Sequence, residues 1–503
     1  MPAHSRRVAR ALVKYAVKPA LKVAGIVLLL IVTVILVWAF DARRMPDLES
    51  WHTADLEAEF RARDDPRRDL TLADYLEKEE ALFGELQSEV LAAVEPVPEL
   101  YLSRFSADGT NNPVRFPENW NRTYELTPAE VKGGALLLHG LTDSPFSLRE
   151  TAEALVDEGY YVLGLRLPGH GTAPAGLVSI RWRDWMAATR LGVRHVHEHL
   201  DGRGPLLVVG YSNGGGLAVK YTLEAVEDPD LPVPDRLILF SPCIGITRFA
   251  ALSGWHRLLS WIPYFEKSRW MSIEPEIDPY KYNSFPKNGG YQTHLLTRQV
   301  QAHFARLKAA GRAAEVPPML TFQSLVDTTV LTEAIANGLY AGLEREGNEL
   351  VLFDVNRVAV FNYLFRSDHS ELLASLENDP KLPYTLTVVT NVDKTSLEVV
   401  ARTTGPGAKE PRLVPLDSQW PRNVFSLSHI ALPFSPENWL YGLSKPLELD
   451  YGINLGGADP RGERNLLRLS ASQFIRLRYN PFFEYVGKRV REAVRVSGEP
   501  PAP

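Results

Sequence analysis

The chain has 503 residues, 45% of them hydrophobic and 23% charged, a balance that excludes wholesale disorder. Its 55 basic and 61 acidic residues leave a formal net charge of -6, which excludes a broadly basic nucleic-acid binder. One cysteine, Cys243, excludes an intramolecular disulfide and a multi-cysteine zinc or iron–sulfur site.

Residues 1–22 form a basic tail, with Arg6, Arg7, Arg10, Lys14, Lys18 and Lys22 and no acid. Residues 23–40 (VAGIVLLLIVTVILVWAF) carry no charge. Eighteen helical residues rise about 27 Å, close to the ~30 Å hydrocarbon core of a bilayer. Trp38 suits the far interface, and the basic excess before the run places the tail in the cytoplasm. The rest of the chain then lies on the extracytoplasmic, periplasmic side, although Arg43 and Arg44 weaken the asymmetry. A cleaved signal peptide would have a shorter apolar region and a small-residue cleavage site, so an uncleaved single transmembrane helix is expected.

Residues 41–121 read as a charged, helical spacer that also packs against the catalytic part of the chain. Within it, residues 72–94 are rich in helix formers with apolar residues three to four apart. Asp69 or Thr71 can start this helix, and Pro96 and Pro98 stop it. Asn121-Arg122-Thr123 fits a glycosylation triplet of a kind that chance often supplies.

From 122 to 496 the pattern becomes one of alternating strands and helices, ahead of a Pro-rich tail at 497–503. Strands are expected at 134–138, 161–167, 205–210 and 236–240, with helices at 148–156, 181–200 and 214–226. Short apolar strands interleaved with helices imply a mostly parallel sheet covered on both faces.

The chemistry lies at the end of the third strand, where Gly210-Tyr211-Ser212-Asn213-Gly214 fits G-x-S-x-G between a strand and a helix. A serine there sits on a strained turn with its hydroxyl at the carboxyl edge of the sheet. The flanking glycines remove side chains that would collide. The following helix N-terminus adds partial positive charge. A nucleophile of this kind needs an oxyanion hole. The backbone N–H of Asn213 is one candidate donor. That of Leu141, in the loop His139-Gly140-Leu141-Thr142-Asp143-Ser144, is the other.

The segments LLLHGLTDSPFSLR (136–149), LRLPGHG (165–171), Trp182 with Trp185, and VVGYSNGGGLA (208–218) together resemble the α/β-hydrolase superfamily. The resemblance is nearest to its carboxylesterase and monoacylglycerol-lipase-like branch, and covers residues 134–245 best. It implies an eight-stranded, mostly parallel sheet flanked by helices, an inserted lid, and a Ser–Asp–His triad in that chain order. The acid is then Asp327, in a loop after a strand expected to begin at Met319, with Asp354 as the other contender. The base is His429, between apolar segments, or His369, in a polar stretch. Asp327 and His429 are unusually far apart for the family, so an insertion at about 357–420 is expected to fold out between them. It contains a possible hairpin at 382–391 and 396–404.

The lid is expected at about 244–316, where Trp255, Trp261, Tyr264, Phe265, Trp270 and Met271 cluster. These aromatics form either the insertion's own core or an apolar cover for acyl chains. His195, His197 and His199 read as the solvated end of a helix rather than a zinc site. His139 and His170 are expected to shape the pocket mouth, and Cys243 to be a small buried filler. A final amphipathic helix is expected after Asn480 and Pro481.

The expectation is therefore a membrane-anchored serine hydrolase that cleaves lipophilic or acylglycerol-like carboxylic esters through Ser212, Asp327 and His429. No metal or organic cofactor is called for, and the partners expected are a small-molecule ester or lipid and a membrane. The same machinery would also serve an acyltransferase or an amidase. If the Asp-to-His spacing left the triad unwired, the chain would be a tethered scaffold.

Overall fold

The computed structural model describes residues 18–65, 69–245, 263–362, 364–365, 370–443, 454–456 and 475–497. Helix α1 (Lys18–Arg44) leads in, with Leu21, Val23, Ile26 and Leu29 exposed. Among the described residues no helix is long and apolar enough to cross a membrane. The side chains at 35, 38 and 39, inside the apolar run, lie outside the description, so the span expected over 23–40 rests on the sequence alone.

Helix α2 (Leu72–Glu85) starts at Thr71. The Thr71 hydroxyl accepts from the Asp74 N–H at 3.2 Å, and the Asp74 carboxylate accepts from the Thr71 N–H at 2.8 Å. The helix is shorter than its sequence pattern, because residues 86–93 continue as π and 3-10 turns. This region is more than a spacer. Phe60, Leu72 and Tyr75 belong to the main core. The fully buried Arg166 pairs with Glu59 at 3.0 Å and Glu79 at 2.9 Å. A buried guanidinium facing two carboxylates is tolerable only when all its donors are engaged, so these residues are built into the domain.

The central sheet contains β1 (Tyr124–Leu126), β2 (Gly133–Leu138), β3 (Tyr160–Leu165), β4 (Leu206–Tyr211), β5 (Arg236–Phe240), β8 (Met319–Ser324), β9 (Glu349–Phe353), β10 (Thr385–Asn391), β11 (Glu398–Thr404) and β12 (Arg412–Gln419). Between β5 and β8, β6 (Trp270–Ser272) and β7 (Phe285–Pro286) form a separate small ribbon. The ten strands of the main sheet run in the order β1-β3-β2-β4-β5-β8-β9-β10-β11-β12. Every neighbouring pair from β3 through β10 is parallel. The central strands are apolar on both faces. In β4, Leu206 and Val208 face one core, while Leu207, Val209 and Tyr211 face the other.

The flanking helices are α3 (Arg149–Asp157), α4 (Trp182–Leu200), α5 (Asn213–Glu227), α6 (Lys287–Ala309) and α7 (Phe483–Ser497). Residues of α4, α5 and α6 line one core. Those of α3 and α7 line the other, where Phe482, Val486, Val490 and Val494 recur at helical spacing. This is the α/β-hydrolase architecture, with a mostly parallel sheet between helical layers.

The structure corrects one expectation directly. The hairpin expected to fold out at 357–420 instead extends the sheet, giving ten strands where eight were expected. β10 pairs parallel with β9, and β11 and β12 add antiparallel beyond it. The inward residues Leu386, Val388, Val389, Val399 and Ala401 find apolar cover only by joining the sheet. Asn121 is also unsuited to glycosylation in the folded chain: it is 1% exposed, and its amide donates to Pro279 O at 2.9 Å.

Candidate active site

Ser212 sits between β4 and α5 with φ 53° and ψ −112°, a conformation rarely taken by any residue with a side chain. Its N–H donates to Phe240 O at 2.8 Å, and its carbonyl accepts from Cys243 N–H at 2.9 Å. A Cβ at Gly214 would lie 2.0 Å from Leu138 O, and one at Gly210 would lie 2.6 Å from Gly214 O. The glycines of the motif are thus required by backbone crossing backbone. Strain of this kind costs on the order of 1–3 kcal/mol and persists only where surrounding contacts hold it.

His429 and Asp327 meet Ser212 at this edge. His429 Nε2 is 2.9 Å from Ser212 Oγ, and His429 Nδ1 is 2.7 Å from Asp327 Oδ2. All three are buried. The other Asp327 oxygen accepts from the N–H groups of Thr329 at 2.7 Å and Val330 at 3.0 Å. Burial by itself pushes the Asp327 carboxyl up. The adjacent His429 and these hydrogen bonds outweigh it and hold the group below its ordinary value. Asp354 belongs elsewhere: it is paired with Arg357 at 2.7 Å and accepts from Thr390 at 2.8 Å. His369 lies outside the described residues.

Leu141 follows the end of β2, in the loop that faces the start of α5. Its side chain packs beside Gly289 of α6, where a Cβ would come within 3.5 Å of it. Asn213 is fully buried, and its Oδ1 accepts from Thr293 Oγ1 at 3.0 Å. Thr297 donates to Cys243 O at 3.1 Å and Gln301 to Ile244 O at 2.8 Å. One face of α6 therefore fastens the segments carrying Asn213 and Cys243. Sequence reasoning missed these three side chains, although polar residues at 293, 297 and 301 recur at i, i+4, i+8 along one helix face.

Other expectations need revision. Cys243 is buried as expected, but its Sγ lies 3.6 Å from Ser212 Oγ, so it lines the site. Burial pushes its thiol up to about 12. His139 and His170 do not stand at a pocket mouth; both are buried. Their rings meet edge to face at 4.9 Å. His195 Nε2 lies 2.9 Å from the Tyr161 hydroxyl, and His199 stacks on the Tyr161 ring at 3.8 Å. Among the described residues no cluster of three or more His, Cys, Asp or Glu side chains is placed to hold a metal ion. Of the aromatics expected in a lid, Trp255 and Trp261 lie outside the described residues. Trp270 is buried against His52 at 4.9 Å, and Met271 is exposed.

The sheet, its flanking helices and this edge-of-sheet serine have the arrangement of the α/β-hydrolase fold. Residues 129–354 match the model of the family described as serine aminopeptidase, S33. A thermostable monoacylglycerol lipase from Bacillus sp. (strain H-257) is 28% identical over 232 residues, covering 46% of this chain and 84% of that protein. Among solved structures, a monoacylglycerol lipase from Paleococcus ferrophilus aligns at 16% identity over 46% of this chain and 89% of its own, with a TM-score of 0.35. A soluble variant of monoglyceride lipase from Saccharomyces cerevisiae aligns at 15% identity over 46% and 82%, also with a TM-score of 0.35.

Proposed function

We propose that the chain hydrolyses carboxylic esters through a Ser212–His429–Asp327 triad. The observation that carries this reading is the pair of contacts on the His429 ring, 2.9 Å to Ser212 Oγ and 2.7 Å to Asp327 Oδ2. Nδ1–H donates to Asp327, which leaves the Nε2 lone pair to take the Ser212 proton. Ser212 Oγ attacks the carbonyl carbon, and the N–H groups of Leu141 and Asn213 receive the oxyanion. His429 returns the proton to the leaving alcohol. Water then cleaves the acyl-enzyme by the same steps, and Ser212 is regenerated. These contacts support the hydrolase reading over a scaffold, because Asp327 and His429 lie side by side despite their long separation in the chain.

The substrate class we propose is a lipophilic or acylglycerol-like ester. The reading is supported by the monoacylglycerol lipase relative, and by the apolar run at 23–40, which we propose to be a membrane anchor with the catalytic domain on the extracytoplasmic side. Residues 287–309 of the range expected for a lid form the core helix α6, so only the part of 244–316 ahead of α6 stays in this proposal, with Trp261 expected to favour long acyl chains. The matched family's description favours a second reading, amide cleavage by the same triad.

The test is hydrolysis of p-nitrophenyl esters from butyrate to palmitate, beside an aminoacyl p-nitroanilide. Wild type, Ser212→Ala, His429→Ala and His369→Ala are compared. Loss of about 10⁴-fold or more with Ser212 and His429, and retention with His369→Ala, is expected. Loss with His369→Ala would overturn the assignment of the base. Faster turnover of the anilide than of every ester would favour the amidase. For the anchor, full-length chain should stay with membranes after alkaline carbonate washing; release into the wash would overturn it.

A further inference from the structure

We infer that His139 is a positioning residue for the oxyanion hole, locked in place by Glu59 from outside the family-matched segment. The inference rests on the proposed role of the Leu141 N–H. Two hydrogen bonds define the tautomer of His139. The Leu167 N–H donates to Nε2 at 3.0 Å, so Nε2 carries no proton. Nδ1 therefore carries it, and donates to Gly140 O at 2.9 Å.

Gly140 C=O and Leu141 N–H are the two ends of one peptide group. That group is planar, with its carbonyl and its N–H pointing in opposite directions. Fixing the direction of Gly140 O therefore fixes the aim of the Leu141 N–H. A hydrogen bond to the carbonyl also polarises the peptide and makes its N–H a better donor. The ring is buried, and burial, reinforced by neighbouring His170, keeps its pKa well below the ordinary value, so it stays a neutral one-donor, one-acceptor group.

His139 is aimed by the loop at 166–171, and that loop is clamped from the N-terminal region. Glu59 Oε2 accepts from the Gly169 N–H at 2.7 Å and from Arg166 at 3.1 Å. Arg166 in turn donates to His170 O at 3.1 Å, and Tyr75 donates to Arg166 O at 2.6 Å. The chain of contacts runs from Glu59 through this loop and the Leu167 N–H to His139, and so to the peptide carrying the Leu141 N–H. Glu59 and Tyr75 both precede residue 129, where the family match begins.

The experiment compares His139→Leu, His139→Asn and Glu59→Gln in the full chain, with rates normalised by active-site titration and folding followed by thermal melting. Asparagine can still donate to Gly140 O; leucine cannot. His139→Leu should lower kcat by about 10- to 100-fold, less than the roughly 10²–10³-fold seen when an oxyanion donor is lost outright. KM should stay within about threefold. Affinity for an alkyl trifluoromethyl ketone, whose hemiketal oxygen occupies the oxyanion site, should fall by the same factor as kcat. His139→Asn should recover most of both losses, and Glu59→Gln should lower both together by a few-fold. Wild-type kcat and ketone affinity in folded His139→Leu would overturn the inference. Equal losses in the Asn and Leu variants would also overturn it, since ring volume rather than the hydrogen bond would then matter. If His139→Leu does not fold, Glu59→Gln decides: parallel loss supports the inference and unchanged ketone affinity refutes it. Turnover by Ser212→Ala, or a wild type that does not bind the ketone, would instead mean that the hydrolase reading itself has failed.

Discussion

Asp327 and His429 are 102 residues apart in the chain, yet their Oδ2 and Nδ1 atoms lie 2.7 Å apart. The intervening chain spends its length on β9 to β12, which add to the sheet edge, so the loops at both ends return to the same place. The entropy of closing a loop grows only with the logarithm of its length, so the long insertion adds little to the cost of bringing the two residues together.

Asp327→Asn should keep the fold and lower kcat by roughly 10⁴-fold, because an amide can favour the wrong imidazole tautomer. A carboxyl whose folded pKa lies below its unfolded one, here near 3.8, stabilises the fold above that unfolded value. That contribution disappears as pH falls through the folded value. Melting curves of wild type and Asp327→Asn should therefore differ most above about pH 4 and converge in stronger acid. A gap that widens on acidification would contradict the depressed pKa.

Arg166→Met leaves the carboxylates of Glu59 and Glu79 buried opposite an apolar side chain. A cost of about 3–5 kcal/mol is expected, with a melting temperature lowered by roughly 10 °C. Changing all three residues together, Arg166→Met with Glu59→Gln and Glu79→Gln, should recover much of it. By the same contacts, a chain lacking residues 1–44 should fold, while one lacking residues 1–123 should not; circular dichroism and melting distinguish the two.

Gly214→Ala should abolish activity and strongly destabilise the protein, since its Cβ would fall 2.0 Å from the Leu138 carbonyl oxygen, which belongs to backbone and cannot move aside. Soluble, active Gly214→Ala protein would show that β2 and α5 are not packed this closely.

Cys243 should resist alkylation by iodoacetamide at pH 8 in the native protein, because burial leaves its thiol protonated with a pKa of about 12. Mass spectrometry before and after denaturation reads this directly. Cys243→Ala should retain activity within a few-fold, as the thiol is a neighbour of Ser212 Oγ at 3.6 Å and takes no part in the proposed proton transfers.

The local pattern of this sequence determined the elements near the nucleophile. Strands β2 to β5 and helices α3 to α5 are short, strongly apolar or strongly periodic, and bounded by Gly and Pro. The G-x-S-x-G turn is local only in part: Gly210 answers to the backbone of Gly214, but Gly214 answers to Leu138 on the neighbouring strand β2. What tertiary structure alone decided is everything whose partner is distant in sequence. Residues 382–404 read equally well as a free hairpin or as sheet strands, and only the apolar neighbours on β9 selected the sheet. Glu59 and Glu79 look like surface acids on a charged segment until Arg166, about 90–110 residues away, is placed between them. The short contacts of His429 with Ser212 and Asp327 are of the same kind. The loop setting of Asp327 and the apolar flanks of His429 favour them over Asp354 and His369 without fixing the pair. A proton-transfer pair is defined by distance in space, which residue type and spacing do not encode across an insertion of this length.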